Sequence, residues 1–353
     1  MKPGIAVIGL ALLMGMGCTQ SAKDNNVIAG PDMSGMPVPQ TNGVPRPSGV
    51  AGNLQVLDWA GFQGALSYTF DDGQPSQLEH YEALNATGVR MTFFVSTFNS
   101  RYDSFDSVFS KAVLDGHELG NHTHYHCRTD LVQCAFGDTP PVSVEADIET
   151  CNSYIADHLG QPSTCSMAAP YGDMGWENPS KDYFLLNRTV NDGTVAPRAG
   201  NPVRLPSYMV DTSETAKEIL NPRISTTRDA GEWLIFTFHG ISPTKEKWYP
   251  LVDIEEITAS INYAKTFGDV WMDTMGNIGA YWVAQKMFSE LIPAANGAEV
   301  VWTWTLPDFF PEGKFLRVTV DGGTLSQKGT PLNWSAHGYY EVNLDVNELT
   351  LQP

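Results

Sequence analysis

The sequence predicts an α/β protein with a barrel or partial barrel of parallel strands over residues 56–294 and a small antiparallel β module over 295–353. From about residue 56, apolar stretches typical of buried strands alternate with helix-like stretches, and the number of these repeats favours a barrel. Beyond about residue 295 the apolar residues instead recur at period two, as in 315–320 and 339–344, which indicates antiparallel strands.

Hydrophobic spacing and turn residues place the elements of the barrel. Residues 66–70 are apolar or β-branched and end at Asp71-Asp72-Gly73, which predicts a buried strand followed by a turn. The same reasoning predicts further strands at 91–97, 117–120, 163–168, 183–190, 233–238 and 270–272. Helical spacing predicts helices at 77–88, 105–115, 142–159, 253–267 and 278–291.

The composition excludes some classes of partner. With 21 Lys and Arg against 40 Asp and Glu, the chain carries a formal charge of −19. Such a charge disfavours nucleic acid and anionic membrane surfaces as partners. Apolar residues make up 42% of the 353 residues, which is enough for a sizeable core.

The N-terminus predicts export. Lys2 precedes an apolar stretch over 5–16, so we expect residues 1–18 to be a signal peptide. Gly15-Met-Gly-Cys18 resembles a lipoprotein cleavage box, although Gly15 stands where that box usually has Leu, and Cys18 would then carry the lipid. The Gly-, Pro- and Ser-rich residues 19–55 predict a flexible linker. The expected location is periplasmic, anchored to the outer membrane, or secreted, and a membrane is a partner only through such an anchor.

Four cysteines remain after Cys18, and in an exported chain an even number indicates two disulfides. Of the three possible connectivities we predict local pairing, Cys127 with Cys134 and Cys151 with Cys165. A zinc site built from these four is the alternative, but their spacing contains no Cys-x-x-Cys pair.

Adjacent carboxylates at the end of a buried strand predict a metal site. Asp71 and Asp72 repel each other unless a cation or proton compensates them. His122 and His126 are four residues apart and can turn both rings to one side, which with Asp72 gives a two-histidine, one-carboxylate ligand set. Asp71 is then free to act as a general base, and His239, at the end of the strand over 233–238, as a general acid.

Four motifs resemble those of the polysaccharide deacetylases, the NodB-homology group or carbohydrate esterase family 4. They occur in order over about residues 62–285: Thr69-Phe-Asp-Asp-Gly73, His122-Thr123-x-x-His126, Pro170-Tyr171 and Phe236-Thr-Phe-His239. The resemblance implies a distorted (β/α) barrel and a divalent metal, zinc with cobalt or nickel as alternatives, held by Asp72, His122 and His126. It also implies that Asp71 is the base, that His239 is the acid, that the Tyr171 N–H helps to hold the oxyanion, and that Thr123 braces the metal-site loop.

The chain departs from the family at two positions. Ala168 stands where the third motif usually has an Arg that pairs with the catalytic Asp. Either Asp71 lacks that partner, or Arg188, Arg198 or Arg204 replaces it. The Asp that orients the acid histidine has no clear counterpart, and Asp192 is our candidate for it.

The predicted function is metal-dependent deacetylation of an acetylated glycan. We expect removal of N-acetyl groups from an N-acetylglucosamine-containing polymer or oligomer of the chitin or peptidoglycan type. An O-acetyl esterase acting on acetylated xylan or a similar glycan would use the same residues. A glycan-binding surface lipoprotein without activity is the alternative from a different class, and Ala168 is the residue that suggests it.

Overall fold

The candidate site lies on an eight-stranded parallel sheet that curls into a distorted (β/α) barrel. The computed structural model describes residues 33–137, 139–245 and 250–353. A first short strand, β1 (Gln55–Val56), belongs to the C-terminal module. The strands of the barrel region follow it: β2 (Gly64–Asp72), β3 (Thr92–Val95), β4 (Glu118–Asn121), β5 (Ser166–Ala168), β6 (Leu186–Arg188), β7 (Tyr208–Met209), β8 (Trp233–Phe238), β9 (Gly240–Ser242), β10 (Leu251–Asp253) and β11 (Val270–Met272).

Strand order places the end of β2 at the middle of the sheet. The order is β6-β5-β4-β3-β2-β8-β7, with β11 also paired to β2, and β9 and β10 form a separate parallel pair. β2 is buried along almost its whole length, as expected of a parallel strand covered on both faces. The segment before β7 closes the curve, since Leu205 donates to the Asn187 carbonyl at 2.9 Å and accepts from the Thr189 N–H at 2.8 Å.

Helices cover the outside of the barrel and bury apolar side chains against the strands. The third helix carries a residue that contacts the loop of the candidate site. It has Ser143 as its N-cap and ends at Gly160, which adopts a left-handed conformation. The helices are α1 (Pro75–Asn85), α2 (Phe105–Leu114), α3 (Val144–Leu159), α4 (Glu177–Ser180), α5 (Asn221–Ala230), α6 (Ile254–Phe267) and α7 (Met275–Glu290).

Two antiparallel sheets form the C-terminal module that the period-two pattern predicted. One has the order β1-β14-β18-β17 and the other β12-β13-β19-β15-β16. The strands are β12 (Ala294–Asn296), β13 (Glu299–Thr303), β14 (Phe315–Thr319), β15 (Thr324–Gln327), β16 (Thr330–Pro331), β17 (Trp334–Ser335), β18 (Tyr339–Asn343) and β19 (Glu348–Gln352).

The module and the barrel share one hydrophobic core. Trp304 of the module lies with its ring centroid 4.8 Å from that of Phe288 in α7. Tyr281 of the same helix donates its hydroxyl proton to the Leu57 carbonyl beside β1 at 2.6 Å. The boundary at 294/295 therefore divides the chain by secondary structure, while side chains pack across it, and the domain division itself stays a prediction.

The described part of the predicted linker is packed, which differs from the flexible segment expected over 19–55. Met36, Val44 and Leu54 pack against the shared core, and the Val44 N–H donates to the Ala336 carbonyl at 2.9 Å. These apolar side chains follow no period, so only their tertiary contacts show that they are buried. The predicted signal peptide and Cys18 lie outside the described residues. Among the described residues, no helix is both long enough and apolar enough to cross a bilayer.

The cysteine prediction is correct for one pair and wrong for the other. Cys127 and Cys134 form a disulfide. Cys151 and Cys165 are free thiols. Cys151 faces the barrel from α3, with its sulfur 3.4 Å from the Val95 carbonyl oxygen, whereas the Cys165 sulfur lies 3.7 Å from a carboxylate oxygen of Glu118. The helix and the strand entry thus direct the two sulfurs to different neighbours, which a separation in sequence cannot reveal.

Candidate active site

Asp72, His122 and His126 converge as the sequence predicted. One carboxylate oxygen of Asp72 lies 3.4 Å from the Nε2 atoms of both histidines. The three donor atoms lie within 4.8 Å of one another. Asp72 ends β2, and His122 directly follows β4, so parallel strands bring them to one edge of the sheet. Two imidazoles and one carboxylate are a donor set suited to a divalent transition metal, with positions left open for water and substrate.

The charges of the three side chains are coupled. His122 directs Nδ1 to the Ala168 carbonyl at 2.8 Å, which places a proton on Nδ1 and leaves Nε2 as the nitrogen that faces Asp72. Burial disfavours a charge on this ring, but the carboxylates of Asp71 and Asp72 raise its pKa, so a metal ion would displace the proton of Nε2. Burial would raise the pKa of Asp72, but the hydrogen bond from His122 and the nearby histidine charges hold it well below its usual range. Burial, together with the charge of His122, lowers the pKa of His126 to about 4, so this ring is neutral at neutral pH.

The backbone around these ligands is held in strained conformations. Four non-glycine residues of the site have positive φ: Asp72 at 76°, Thr123 at 59°, His126 at 52° and Tyr171 at 58°. Such residues persist only where surrounding contacts fix them, and they concentrate at functional sites. The Thr123 hydroxyl accepts from the His126 N–H at 2.9 Å, in agreement with the bracing role that the resemblance implied.

Asp147 fixes the same loop from α3. It is buried, and one of its carboxylate oxygens accepts from the N–H groups of both His124 and Tyr125 at 2.8 Å. Sequence reasoning did not identify Asp147, because a single acid in the first turn of a helix usually only complements the helix dipole.

Asp71 lies beside the candidate metal-ligand triad of Asp72, His122 and His126, and it is held by Arg188. The Arg188 guanidinium donates to Oδ1 of Asp71, and both side chains are almost fully buried. Oδ2 of Asp71 faces the site, 3.9 Å from Nε2 of His122 and 4.0 Å from Nε2 of His239. Arg188 lies opposite Ala168 in the β5–β6 register. Of the three arginines considered from the sequence, it is Arg188 that supplies the positive charge.

The other two arginines face away from the site. Arg198 pairs with Asp58 at 2.9 Å, and Arg204 pairs with Glu177. Both side chains are about half exposed. The long connection after β6 thus returns to the barrel surface and not to the carboxylates at its centre.

His239 follows β8 and reaches the site from the opposite side of β2. Gln77 connects the two strand ends, because its side-chain amide donates to the carbonyls of both Asp71, at 2.5 Å, and His239, at 2.9 Å. Gln77 is buried in the first turn of α1. Its role was not predicted, since a glutamine at a helix start carries no distinctive sequence signal.

Tyr171 and Arg128 form one wall of the cavity above the triad. The Tyr171 ring centroid lies 4.5 Å from that of His126, and the Arg128 guanidinium lies 4.7 Å from the Tyr171 ring centroid. The cavity has a volume of about 380 Å³ and is also lined by Asp71, Asp72 and His239. The oxyanion role of the Tyr171 N–H stays a prediction.

The structure does not bring Asp192 to His239. Its carboxylate is more than half exposed and forms a two-fold hydrogen-bonded ion pair with Arg223, at 3.0 Å for each contact. Asp192 comes four residues after β6, where the chain has already left the sheet and turned to solvent. We therefore assign it no part in orienting the acid.

The comparisons with known proteins bear on this site. Residues 63–182 match the sequence model of the polysaccharide deacetylase family. Over these residues, about a third of its length, the chain is similar to the polysaccharide deacetylases. The match includes Asp71, Asp72, His122, His126 and Tyr171, whereas Arg188 and His239 lie beyond it.

Among relatives, the chain is similar to a chitin deacetylase from Pestalotiopsis sp, with 26% identity over 136 residues. That alignment covers 37% of this chain and 45% of the relative, so the chain spans less than half the length of the curated relative it matches.

Among solved structures, Puue allantoinase superposes with a TM-score of 0.50 at 13% identity, covering 68% of this chain and 98% of that one. A probable polysaccharide deacetylase from Pseudomonas aeruginosa PAO1 superposes with a TM-score of 0.48 at 12% identity, covering 63% of this chain and 92% of that one. A family 4 acetyl xylan esterase from Clostridium thermocellum, in complex with a cobalt ion, superposes with a TM-score of 0.42 at 18% identity, covering 61% of this chain and 89% of that one. Identities this low concern the fold alone.

Proposed function

We propose that this protein is a metal-dependent hydrolase that removes acetyl groups from a carbohydrate, with N-acetylglucosamine-containing poly- or oligosaccharides as the preferred substrates. One observation carries the proposal: Asp71 is buried beside the ligand triad, fixed by Arg188, with its free oxygen directed towards His239. A protein that only bound glycans would not need a second, buried carboxylate next to the three ligands.

The residues divide the chemistry between them. Asp72, His122 and His126 would hold the metal, which when bound lowers the pKa of water and polarises the acetyl carbonyl. Oδ2 of Asp71 accepts the proton of the attacking water, because Oδ1 is occupied by Arg188. His239 donates a proton to the leaving nitrogen of an amide, or to the leaving oxygen of an ester.

The position of Arg188 supports the enzyme over the alternative of an inactive binding protein. That alternative rested on Ala168, and Arg188 now supplies the charge that Ala168 lacks. The same residues can act on an amide and on an ester, and the assay compares both kinds of substrate.

Acetate release tests the proposal. We would assay chitooligosaccharides, peptidoglycan fragments and acetylated xylan, first with a chelator and then with zinc, cobalt or nickel restored. Asp71→Asn and His239→Ala should each reduce turnover roughly 10²–10⁴-fold. Asp192→Asn is a matched control, because it neutralises an Asp that is exposed and paired with Arg223, and it should leave turnover within about two-fold. No acetate from any amide or ester, with metal bound, would contradict the proposal.

We further propose that the protein is exported and lipid-anchored at Cys18. The N-terminal pattern supports this, and the Cys127–Cys134 disulfide suits an oxidising compartment. Expression with labelled palmitate tests it: label should enter the wild-type chain and be lost in Cys18→Ser, and label retained in that variant would refute the anchor.

A further inference from the structure

We propose that Arg128 selects acetylated glycans that carry a carboxylate near the acetyl group. The inference rests on the proposed function and names the substrate class for the same site. Arg128 lines the cavity that contains the ligand triad, separated from His126 by the ring of Tyr171. The other ionisable side chains among the described residues that line this cavity are carboxylates, histidines and tyrosines, so Arg128 provides its permanent positive charge.

Within the part of the chain that the structure describes, the guanidinium of Arg128 is set apart by its lack of an acidic partner. Among the ten arginines, all in the described residues, seven form ion pairs: Arg90, Arg188, Arg198, Arg204, Arg223, Arg228 and Arg317. Arg46 and Arg101, which do not, direct terminal nitrogens to the carbonyls of Gly323 and Phe98. Arg128 donates from Nε to the Gln133 side-chain oxygen at 2.9 Å, and its terminal nitrogens have no acceptor among the described residues.

Asp173, an acid that lies in the electrostatic field of Arg128, accepts its hydrogen bonds from other groups. The Asp173 carboxylate accepts from the N–H and hydroxyl of Thr129, at 3.0 and 2.9 Å, and from the Gly175 N–H at 2.9 Å. It lies outside ion-pair distance of Arg128. In a chain with 40 acidic residues, a half-buried arginine whose fork faces a cavity is therefore positioned for an anion from outside the protein.

The loop that carries Arg128 is fixed before any ligand arrives. The disulfide between Cys127 and Cys134 closes it, and the Arg128 N–H donates to the Gln133 carbonyl at 2.8 Å. The Ala135 N–H donates to the carbonyl of the predicted metal ligand His126 at 3.0 Å. Because the guanidinium is preorganised relative to the triad, binding an anion there costs little conformational entropy.

A planar carboxylate matches the geometry of this site. It accepts two parallel N–H bonds from a guanidinium. The formal charge of −19 disfavours a polymer dense in phosphate or sulfate, so we infer a glycan with occasional carboxylates. Such a group comes either from a uronic acid branch or from the lactyl ether of N-acetylmuramic acid.

Matched substrate pairs separate these sources. One pair is acetylated xylo-oligosaccharide with and without a glucuronic acid branch, and the other is an N-acetylglucosamine–N-acetylmuramic acid oligomer against a chitooligosaccharide of equal length. The readout is the ratio of kcat/KM for the carboxylated and neutral members of each pair, at low and high salt. Arg128→Gln should lower that ratio about 10-fold or more for one pair, and should remove its salt dependence. The kcat/KM of the neutral member should fall by a smaller factor than that of the carboxylated member.

Two further variants control the charge and the shape. Lys328→Gln removes one positive charge from an exposed position in the C-terminal module and should leave every ratio unchanged. Arg128→Lys keeps the charge without the planar fork and should retain only part of the preference. Binding of the same oligosaccharides, measured by calorimetry in the presence of a chelator, reports on Arg128 without any turnover.

The outcomes distinguish the inference from the proposed function. Equal loss on charged and neutral substrates in Arg128→Gln would make Arg128 a structural clamp for Tyr171 and overturn the inference. An unchanged ratio for both pairs would overturn it too, while leaving the deacetylase function intact. If nothing is deacetylated but wild type binds a carboxylated oligosaccharide more tightly than Arg128→Gln does, the proposed function fails and the inference stands.

Discussion

Arg188 donates a buried hydrogen bond to Asp71 from the strand next to the one on which the polysaccharide deacetylase motif usually carries its arginine. The side chains of Arg188 and Asp71 are 1% and 3% exposed, so solvent screens their interaction little. Ala168, the residue at the motif position, pairs with Arg188 in the β5–β6 register. The guanidinium of Arg188 thus reaches Asp71 from β6, whereas the resemblance of the motifs places this arginine on β5.

The first prediction concerns this exchange of position. Arg188→Ala should destabilise the fold by about 3–5 kcal/mol, because it leaves the carboxylate of Asp71 buried without compensation. It should also reduce acetate release. Adding Ala168→Arg to Arg188→Ala returns the charge to the neighbouring strand and should restore part of both properties, measured by urea unfolding and turnover.

An exposed ion pair controls that prediction. Arg204 pairs with Glu177 on the surface, with about half of the arginine exposed. Arg204→Ala should change the free energy of unfolding by less than about 1 kcal/mol. If Arg204→Ala and Arg188→Ala reduced the free energy of unfolding equally, burial of the Arg188–Asp71 pair would not increase its contribution to stability.

The local sequence pattern was sufficient to predict much of the fold and the candidate ligand triad. The strand predicted at 233–238 coincides with β8, because its six residues are all buried and carry a continuous apolar run. Asp72, His122 and His126 could be predicted because Asp72 ends one strand and the two histidines come after another, and parallel strands bring their ends to one edge.

Features that depend on register could not be predicted. The choice among Arg188, Arg198 and Arg204 required knowing that β5 and β6 align Ala168 with Arg188. The error at Asp192 has the same origin, since the sequence does not show where the chain after β6 leaves the sheet. The unpaired Cys151 and Cys165 likewise depend on which way a helix and a strand face.

Metal binding should depend on His126 and not on its neighbour His124. His126→Ala removes one of three converging donors and should reduce bound zinc, cobalt or nickel at least tenfold, measured by elemental analysis after dialysis. His124 lies two residues earlier, but its Nδ1 faces the Thr97 hydroxyl at 2.8 Å, away from the triad. His124→Ala should therefore retain stoichiometric metal. Full metal content in His126→Ala would refute the ligand assignment.

The disulfide and the two free thiols predict a specific labelling pattern. When the unreduced protein is unfolded and alkylated, Cys151 and Cys165 should be modified, and the peptides with Cys127 and Cys134 should stay linked. In the folded protein Cys151 should react slowly, because burial raises its pKa to about 12 and blocks access. Mass spectrometry of the peptides checks both statements, and a Cys151–Cys165 crosslink would contradict them.

The shared core predicts that module and barrel unfold together. Trp304 is 6% exposed, donates its indole N–H to the Leu344 carbonyl at 2.8 Å, and packs on Phe288 of α7. Trp304→Ala should reduce the free energy of unfolding by about 3–5 kcal/mol. It should also lower the midpoint of one unfolding transition that circular dichroism and loss of turnover report together. Trp302 is only partly buried, so Trp302→Ala should cost less. Two separate transitions would show that the module folds independently.

His117 predicts an acid-sensitive step in stability. It is buried, its Nδ1 accepts from the Met91 N–H at 3.0 Å, and its Nε2 lies 3.1 Å from the Asn85 side-chain oxygen. These two contacts fix the neutral tautomer with the proton on Nε2, because a second proton on Nδ1 would face the Met91 N–H. Burial lowers the pKa of His117 from 6.5 to about 4, against a smaller opposing effect of Asp115.

Between pH 6.5 and about 4 the unfolded chain therefore binds a proton that the folded protein does not, so stability falls as the pH is lowered through this window. The loss should reach about 2–3 kcal/mol near pH 4 and should be absent above pH 7. His117→Gln, which cannot titrate, should remove this part of the pH dependence although it destabilises the protein at neutral pH. Urea unfolding in the presence of a chelator, at several pH values, gives the free energy of unfolding for both proteins. Parallel pH profiles for wild type and His117→Gln would mean that His117 takes up its proton equally in the folded and unfolded states.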